Sequence, residues 1–170
     1  TNAGHVRVYA WNGIVWNQKG QDIDGEASGD QSGNSVSFNG DGNILAIGAR
    51  YNGWFNGTGT HSGHVRVYEW SGSLWIQKGQ DIDGEAADDN SGGSVSMSAD
   101  GNIVAIGAFR NDAPGTDAGH VRVYEWNGSA WLQKGQDIDG EAAGDFSGFS
   151  VSISSDGNTL AIGAHKNDGT

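Results

Sequence analysis

Twelve carboxylates fall along this chain in three matched sets: Asp22, Asp24, Glu26 and Asp30; Asp81, Asp83, Glu85 and Asp89; Asp137, Asp139, Glu141 and Asp145. Counted from the first Asp, each set occupies positions one, three, five and nine. Alternating acids around a Gly turn form an oxygen-ligand pattern suited to Ca²⁺, a hard cation that takes about six to eight oxygens. The loop departs from an EF-hand, because its Gly is fourth and it carries no Glu at the twelfth place. The competing reading is a strand that ends on a buried Ile, followed by solvated acids and a Gly turn. Ca²⁺ is therefore admitted as a bound ion and not required as a cofactor.

Other chemistry-bearing residues recur with the same repetition. His5, His64 and His120 share a strand face with Arg7, Arg66 and Arg122 and with Tyr9, Tyr68 and Tyr124. No second metal ligand follows any of these His at a diagnostic spacing and there is no Cys, so a packing role with polar tips on backbone or carboxylates is favoured. Lys19, Lys78 and Lys134 stand near the acidic turns as local charge partners. The pairs Trp11/Trp16, Trp70/Trp75 and Trp126/Trp131 bracket one hairpin in every copy, which argues for packing, with sugar stacking as the functional alternative. Trp54 and Phe55 lie in a long loop without counterpart elsewhere and are the candidate exposed binding contacts. Every carboxylate and His of this kind occurs in triplicate as scaffold, and no nucleophile, base and acid stand apart, so an enzyme is not expected.

What positions these residues is a repeat. Gly4-His-Val-Arg-Val-Tyr restarts at Gly63 and Gly119, 59 and then 56 residues on. Gln-Lys-Gly-Gln-Asp-Ile-Asp-Gly-Glu-Ala follows at Gln18, Gln77 and Gln133, and Ser-Val-Ser leads to Ala-Ile-Gly-Ala ending each copy. The chain reads as a single repeat domain over 1–170, with repeat 1 at Gly4–Ser62, repeat 2 at Gly63–Ala118 and repeat 3 at Gly119–Thr170. Such units complete one another's cores by stacking.

Within a repeat, His64-Val-Arg-Val-Tyr-Glu-Trp70 alternates with period two, Ser71-Gly-Ser73 turns the chain, and Leu74-Trp-Ile-Gln-Lys runs back. Ser94-Val-Ser-Met-Ser98 and Asn102-Ile-Val-Ala-Ile-Gly-Ala108 then flank an Asp-Gly turn, a strong hairpin signal. Four short strands per copy, 30 Gly in 170 residues and only 35% apolar residues predict an all-β fold. Seven Trp and regular alternation argue against disorder. Even spacing with Gly and aromatic landmarks predicts a β-propeller-type array of three four-stranded blades.

Ser-Gly-x-Ser-Val, an Asp-Gly hairpin, Leu-Ala-Ile-Gly-Ala and Gly-His-Val-Arg-Val-Tyr together resemble the FG-GAP repeat of integrin α-subunit propellers, over nearly the whole chain. The resemblance implies that the Ser-Val strand is innermost, the Gly-Ala strand second and the Gly-x-Val strand third, with Trp-x-Gln-Lys-Gly-Gln-Asp-Ile outermost. By that order the chain opens with the outer half of one blade and closes with the inner half of another. The sequence departs from the family at Ser32, Ser91 and Ser147, where a Phe is usual, and at Arg50, Phe109 and His165, where a Pro is usual. The family's calcium loop is replaced by tight turns holding Asp41, Asp100 or Asp156, so that ligand set does not carry over.

A net charge of −12 disfavours nucleic acid and anionic membrane, and no apolar run reaches bilayer length, so membrane insertion is not expected. Three blades leave too large an angle to close, and split blades expose β edges. The expectation is a homo-oligomer, either a two-fold dimer forming six blades or a head-to-tail filament, with residues 1–3 or a neighbouring chain completing repeat 3. The resulting function reading is a non-enzymatic structural or cell-adhesion module of an extracellular or surface repeat protein with a protein partner. The alternative is a lectin-like propeller whose Trp and carboxylate pockets hold glycan ligands.

Overall fold

The structure, a computed structural model, describes residues 2–53 and 61–169. These are built from strands and turns, with no helix among the described residues. In chain order the strands are β1 (His5–Val6), β2 (Tyr9–Trp11), β3 (Trp16–Gln18) and β4 (Ile23–Asp24), followed by β5 (Ser35–Phe38) and β6 (Ile44–Ala49). Then come β7 (His64–Trp70), β8 (Trp75–Gln77), β9 (Ile82–Asp83), β10 (Ser94–Met97) and β11 (Ile103–Ala108). The last are β12 (His120–Trp126), β13 (Trp131–Gln133), β14 (Ile138–Asp139), β15 (Ser147–Ile153) and β16 (Leu160–Ala164).

Two complete antiparallel sheets result, ordered β5-β6-β7-β8 and β10-β11-β12-β13, with β9 and β14 also pairing β7 and β12. Each sheet joins the closing half of one sequence repeat to the opening half of the next. Register repeats as well: Leu45 faces Tyr68 and Ile47 faces Arg66, as Val104 faces Tyr124 and Ile106 faces Arg122. At the chain's beginning β1 pairs β4 and β2 pairs β3, and at its end β15 pairs β16. The Asp-Gly hairpins form as expected, since Gly42, Gly101 and Gly157 adopt φ of 71°, 72° and 70°, a region that a Cβ disfavours.

Period-two alternation decides which way each strand buries its side chains. Ile44, Ala46, Val65 and Val67 face the second sheet, where they meet Val95, Met97, Val104, Ile106 and Trp131 in one core. The opposite face of the first sheet, with Leu45, Ile47 and Trp75, packs on Val8 and Ile23 of the opening segment. Ser37 and Ser96 tie the strands β5, β10 and β15 to their neighbours, as their hydroxyls accept the Met97 and Ile153 N–H groups at 3.1 and 3.0 Å.

Two details differ from the sequence reading. The outermost strand does not run through Gln-Lys-Gly-Gln-Asp-Ile. It breaks after Gln77, where Gly79 turns the chain at φ 83° and the Gln77 amide donates to the Gly79 carbonyl and to Asp81. The chain then returns as β9 against β7. The first His-Val-Arg-Val-Tyr copy also splits into β1 and β2, and among the described residues no strand pairs with it on the side where β6 flanks β7.

Candidate functional site

The repeated charged residues converge between sheets, not within a single acidic loop. Arg66 on β7 donates from Nε and Nη2 to its own repeat's Asp81, at 3.0 and 2.9 Å, and pairs through Nη2 with Glu26 of the preceding repeat. Arg122 repeats this with Asp137, at 3.0 Å from both nitrogens, and with Glu85. Behind each Arg lies a His that is 3% exposed. The Nδ1 of His64 lies 3.9 Å from Glu26 and 3.8 Å from Asp81, while His120 Nδ1 stands 3.8 Å from Asp137 with no hydrogen-bond partner among the described residues.

Electrostatics follow from this geometry. Burial disfavours the charged Arg66 guanidinium, yet hydrogen bonds and charges from Asp81 and Glu26 outweigh it and hold Arg66 more basic than usual. Burial also raises Asp81, but bonds from Arg66 and Gln77 win and leave it more acidic than usual. His64 and His120 are pushed down mainly by burial. The only groups of three metal-capable side chains among the described residues are Glu26/His64/Asp81 and Glu85/His120/Asp137. In each, an Arg stands between the two carboxylates and supplies the positive charge that a cation would bring.

The twelve carboxylates of the sequence pattern therefore take separate tasks. Asp22, Asp81 and Asp137 receive Arg7, Arg66 and Arg122. Asp24, Asp83 and Asp139 lie on β4, β9 and β14, opposite His5, His64 and His120. Glu26 and Glu85 reach forward to the next repeat's Arg, whereas Glu141 accepts from the Asn167 amide at 3.3 Å and pairs with no Arg among the described residues. Asp30, Asp89 and Asp145 are buried and cap the turn, accepting the Ala27, Ala86 and Ala142 N–H groups and the Asn52, Asn111 and Asn167 amides. Trp54 and Phe55 lie outside the described residues.

The Trp residues complete the junction. Trp75 Nε1 donates to the Lys19 carbonyl at 2.8 Å, and Gln21 brackets the Trp75 backbone, donating to its C=O at 2.9 Å and accepting its N–H at 3.1 Å. Trp131 stands in the same relation to Lys78 and Gln80. Lys19 does not pair with the acidic turns as the sequence suggested. Its ammonium donates to the Gly42 carbonyl and Asn43 amide and lies 5.2 Å from the rings of Trp70 and Trp75. Sequence reading missed this clasp and the Glu–Arg–Asp bridge, although the threefold recurrence of Lys-Gly-Gln, Glu and Arg was their signal. No family model matches this chain, and no curated protein matches it.

Proposed function

We propose that this chain is a non-enzymatic structural or adhesive interaction module, an FG-GAP-like β-propeller segment of an extracellular or cell-surface repeat protein, which associates with like repeats by sharing blades. One observation carries the reading. The joint made twice between the sheets has counterpart residues in the first and third copies that stand exposed. Trp75 and Trp131 are 3% and 2% exposed, but Trp16 is 65% exposed. Ile23 and Ile82 are each 4% exposed, but Ile138 is 43% exposed. The bridges from Glu26 and Glu85 to Arg66 and Arg122 across the joints support a structural task for these repeated groups.

Two copies sharing their half-blades make a six-bladed ring, within the range of about four to eight that propellers adopt. Head-to-tail addition without closure makes a filament. Light scattering at micromolar concentration tests the reading, with a mass of two chains or more expected and a stable monomer overturning it. The lectin-like reading draws on Trp11 and Trp16, whose exposed rings lie 5.5 Å apart and suit the face of a sugar. A glycan array separates the two, since multivalent sugar binding belongs to the lectin alone.

A further inference from the structure

We infer that the free edge of β16 receives the β1–β4 segment of a second copy of this chain, with Trp16 as the anchor and Arg7 on Glu141 as the orienting ion pair. This rests on the self-association proposed above and names its interface. Two clefts flank β16. One, of about 230 Å³, is bounded by Val123, Lys134, Ile138, Ile153 and Leu160. Their counterparts Val67, Ile82, Met97 and Val104 share a core with Trp131, and Val8, Ile23 and Leu45 share one with Trp75. The cleft thus corresponds to an indole seat, and Trp16 is the corresponding indole.

The glycine beside the seat says the same. A Cβ on Gly20 would lie 2.6 Å from Trp70, and one on Gly79 would lie 2.5 Å from Trp126, whereas Gly135 has nothing within 4 Å. The second cleft, of about 410 Å³, is bounded by Asp139, Glu141, Ile162, Ala164 and Asn167. At the equivalent place in the first sheet, β7 lies against β6, with His64 facing Ala49 and Arg66 facing Ile47. Carried to β16, that register sets His5 opposite Ala164, Arg7 opposite Ile162 and Tyr9 opposite Leu160. Arg7 then reaches Glu141 while keeping Asp22, which adds the Glu–Arg–Asp bridge already present twice.

The complement is exposed. Tyr9 and Trp11 are 47% and 53% exposed. Val36 and Phe38, at 50% and 43%, contrast with their counterparts Val95 and Met97 at 9% and 7%, and would be covered by β15 and β16 of the second copy. Charge complementarity, register and shape therefore point to the same occupant.

The test is sedimentation of the wild-type chain beside Trp16→Ala, Glu141→Arg and Arg7→Glu. Wild type is expected to associate, and Trp16→Ala to weaken association by at least about thirty-fold, as for a central aromatic anchor. Trp16 is largely exposed within the chain, so native circular dichroism should persist. Each charge reversal should weaken association alone, and an equimolar mixture of the two should restore it, because every junction then again holds one acid and one base. A wild type that associates while these variants behave identically overturns this interface and leaves self-association standing. A monomeric wild type overturns both. Register is read separately from Tyr9→Cys combined with Leu160→Cys in this Cys-free chain: intermolecular disulfides are expected, and none should form when Ala161→Cys replaces Leu160→Cys. Equal cross-linking in both pairs overturns the register.

Discussion

Trp131 donates its indole N–H to the carbonyl oxygen of Lys78 at 2.8 Å, so a residue of the second sheet closes a bond with the outer turn of the first. The ring fills the core between the sheets while its polar edge satisfies a backbone acceptor, a use to which Trp is suited. Trp75 and Lys19 repeat the bond, and the chain is held together by two copies of one joint.

Truncating a buried member of that joint should be far costlier than truncating its exposed counterpart. Trp131→Ala is expected to lose about 3–5 kcal/mol, by the ordinary cost of removing a buried aromatic ring. Trp16→Ala should leave unfolding of the dilute chain nearly unchanged. Urea denaturation of the two variants checks this, and equal midpoints would remove the Trp joint as a source of stability.

Arg122→Gln leaves Glu85 and Asp137 facing each other beside His120. These groups are partly exposed, so the expected loss is about 1–3 kcal/mol, less than for a fully buried pair. Arg7→Gln, at the half-exposed first copy, should leave the melt of the dilute chain essentially unchanged. Thermal unfolding of both variants measures the difference.

Gly79→Ala places a methyl group against the Trp126 ring and forces φ of 83° on a residue with a side chain. The backbone part alone costs about 1–2 kcal/mol. Gly135→Ala shares that φ but meets no neighbour, so it should cost the backbone part only. Denaturant midpoints that rank the two the other way would contradict the packing described.

Stability should decline in mild acid. His64 and His120 resist protonation in the folded chain mainly because they are buried, whereas the unfolded chain takes up their protons near pH 6.5. Their contribution is complete above about pH 6.5 and shrinks as pH falls toward the depressed folded values, by at most about 1.4 kcal/mol per pH unit for each His. Asp81, whose folded value is lowered, adds a further loss at lower pH, below the ordinary carboxylate range. Urea midpoints between about pH 8 and pH 5 should therefore fall, and substitution of both His by Gln should flatten the mild-acid part of the curve. A flat wild-type profile would contradict this.

Added Ca²⁺ and added chelator should both leave the melting temperature unchanged, because Arg66 and Arg122 already neutralise the converging carboxylates. A rise with Ca²⁺ that chelator reverses would assign the acidic loops to a cation by linkage to the native state.

The sequence by itself determined the all-β fold, the repeat and the hairpin turns. These depend on period-two alternation and on Gly at positive φ, as at Gly42, Gly101 and Gly157, which a linear chain displays directly. It also marked Glu26, Arg66, Trp75 and Lys19 as repeated residues, without revealing that they meet. Those meetings depend on how one sheet lies against the next. Only the tertiary structure could therefore show that Arg66 stands between Glu26 and Asp81, or distinguish the exposed Trp16 from the buried Trp75, two residues in the same local motif. Burial and charge pairing are properties of the face a neighbour covers, and that neighbour lies tens of residues away along the chain.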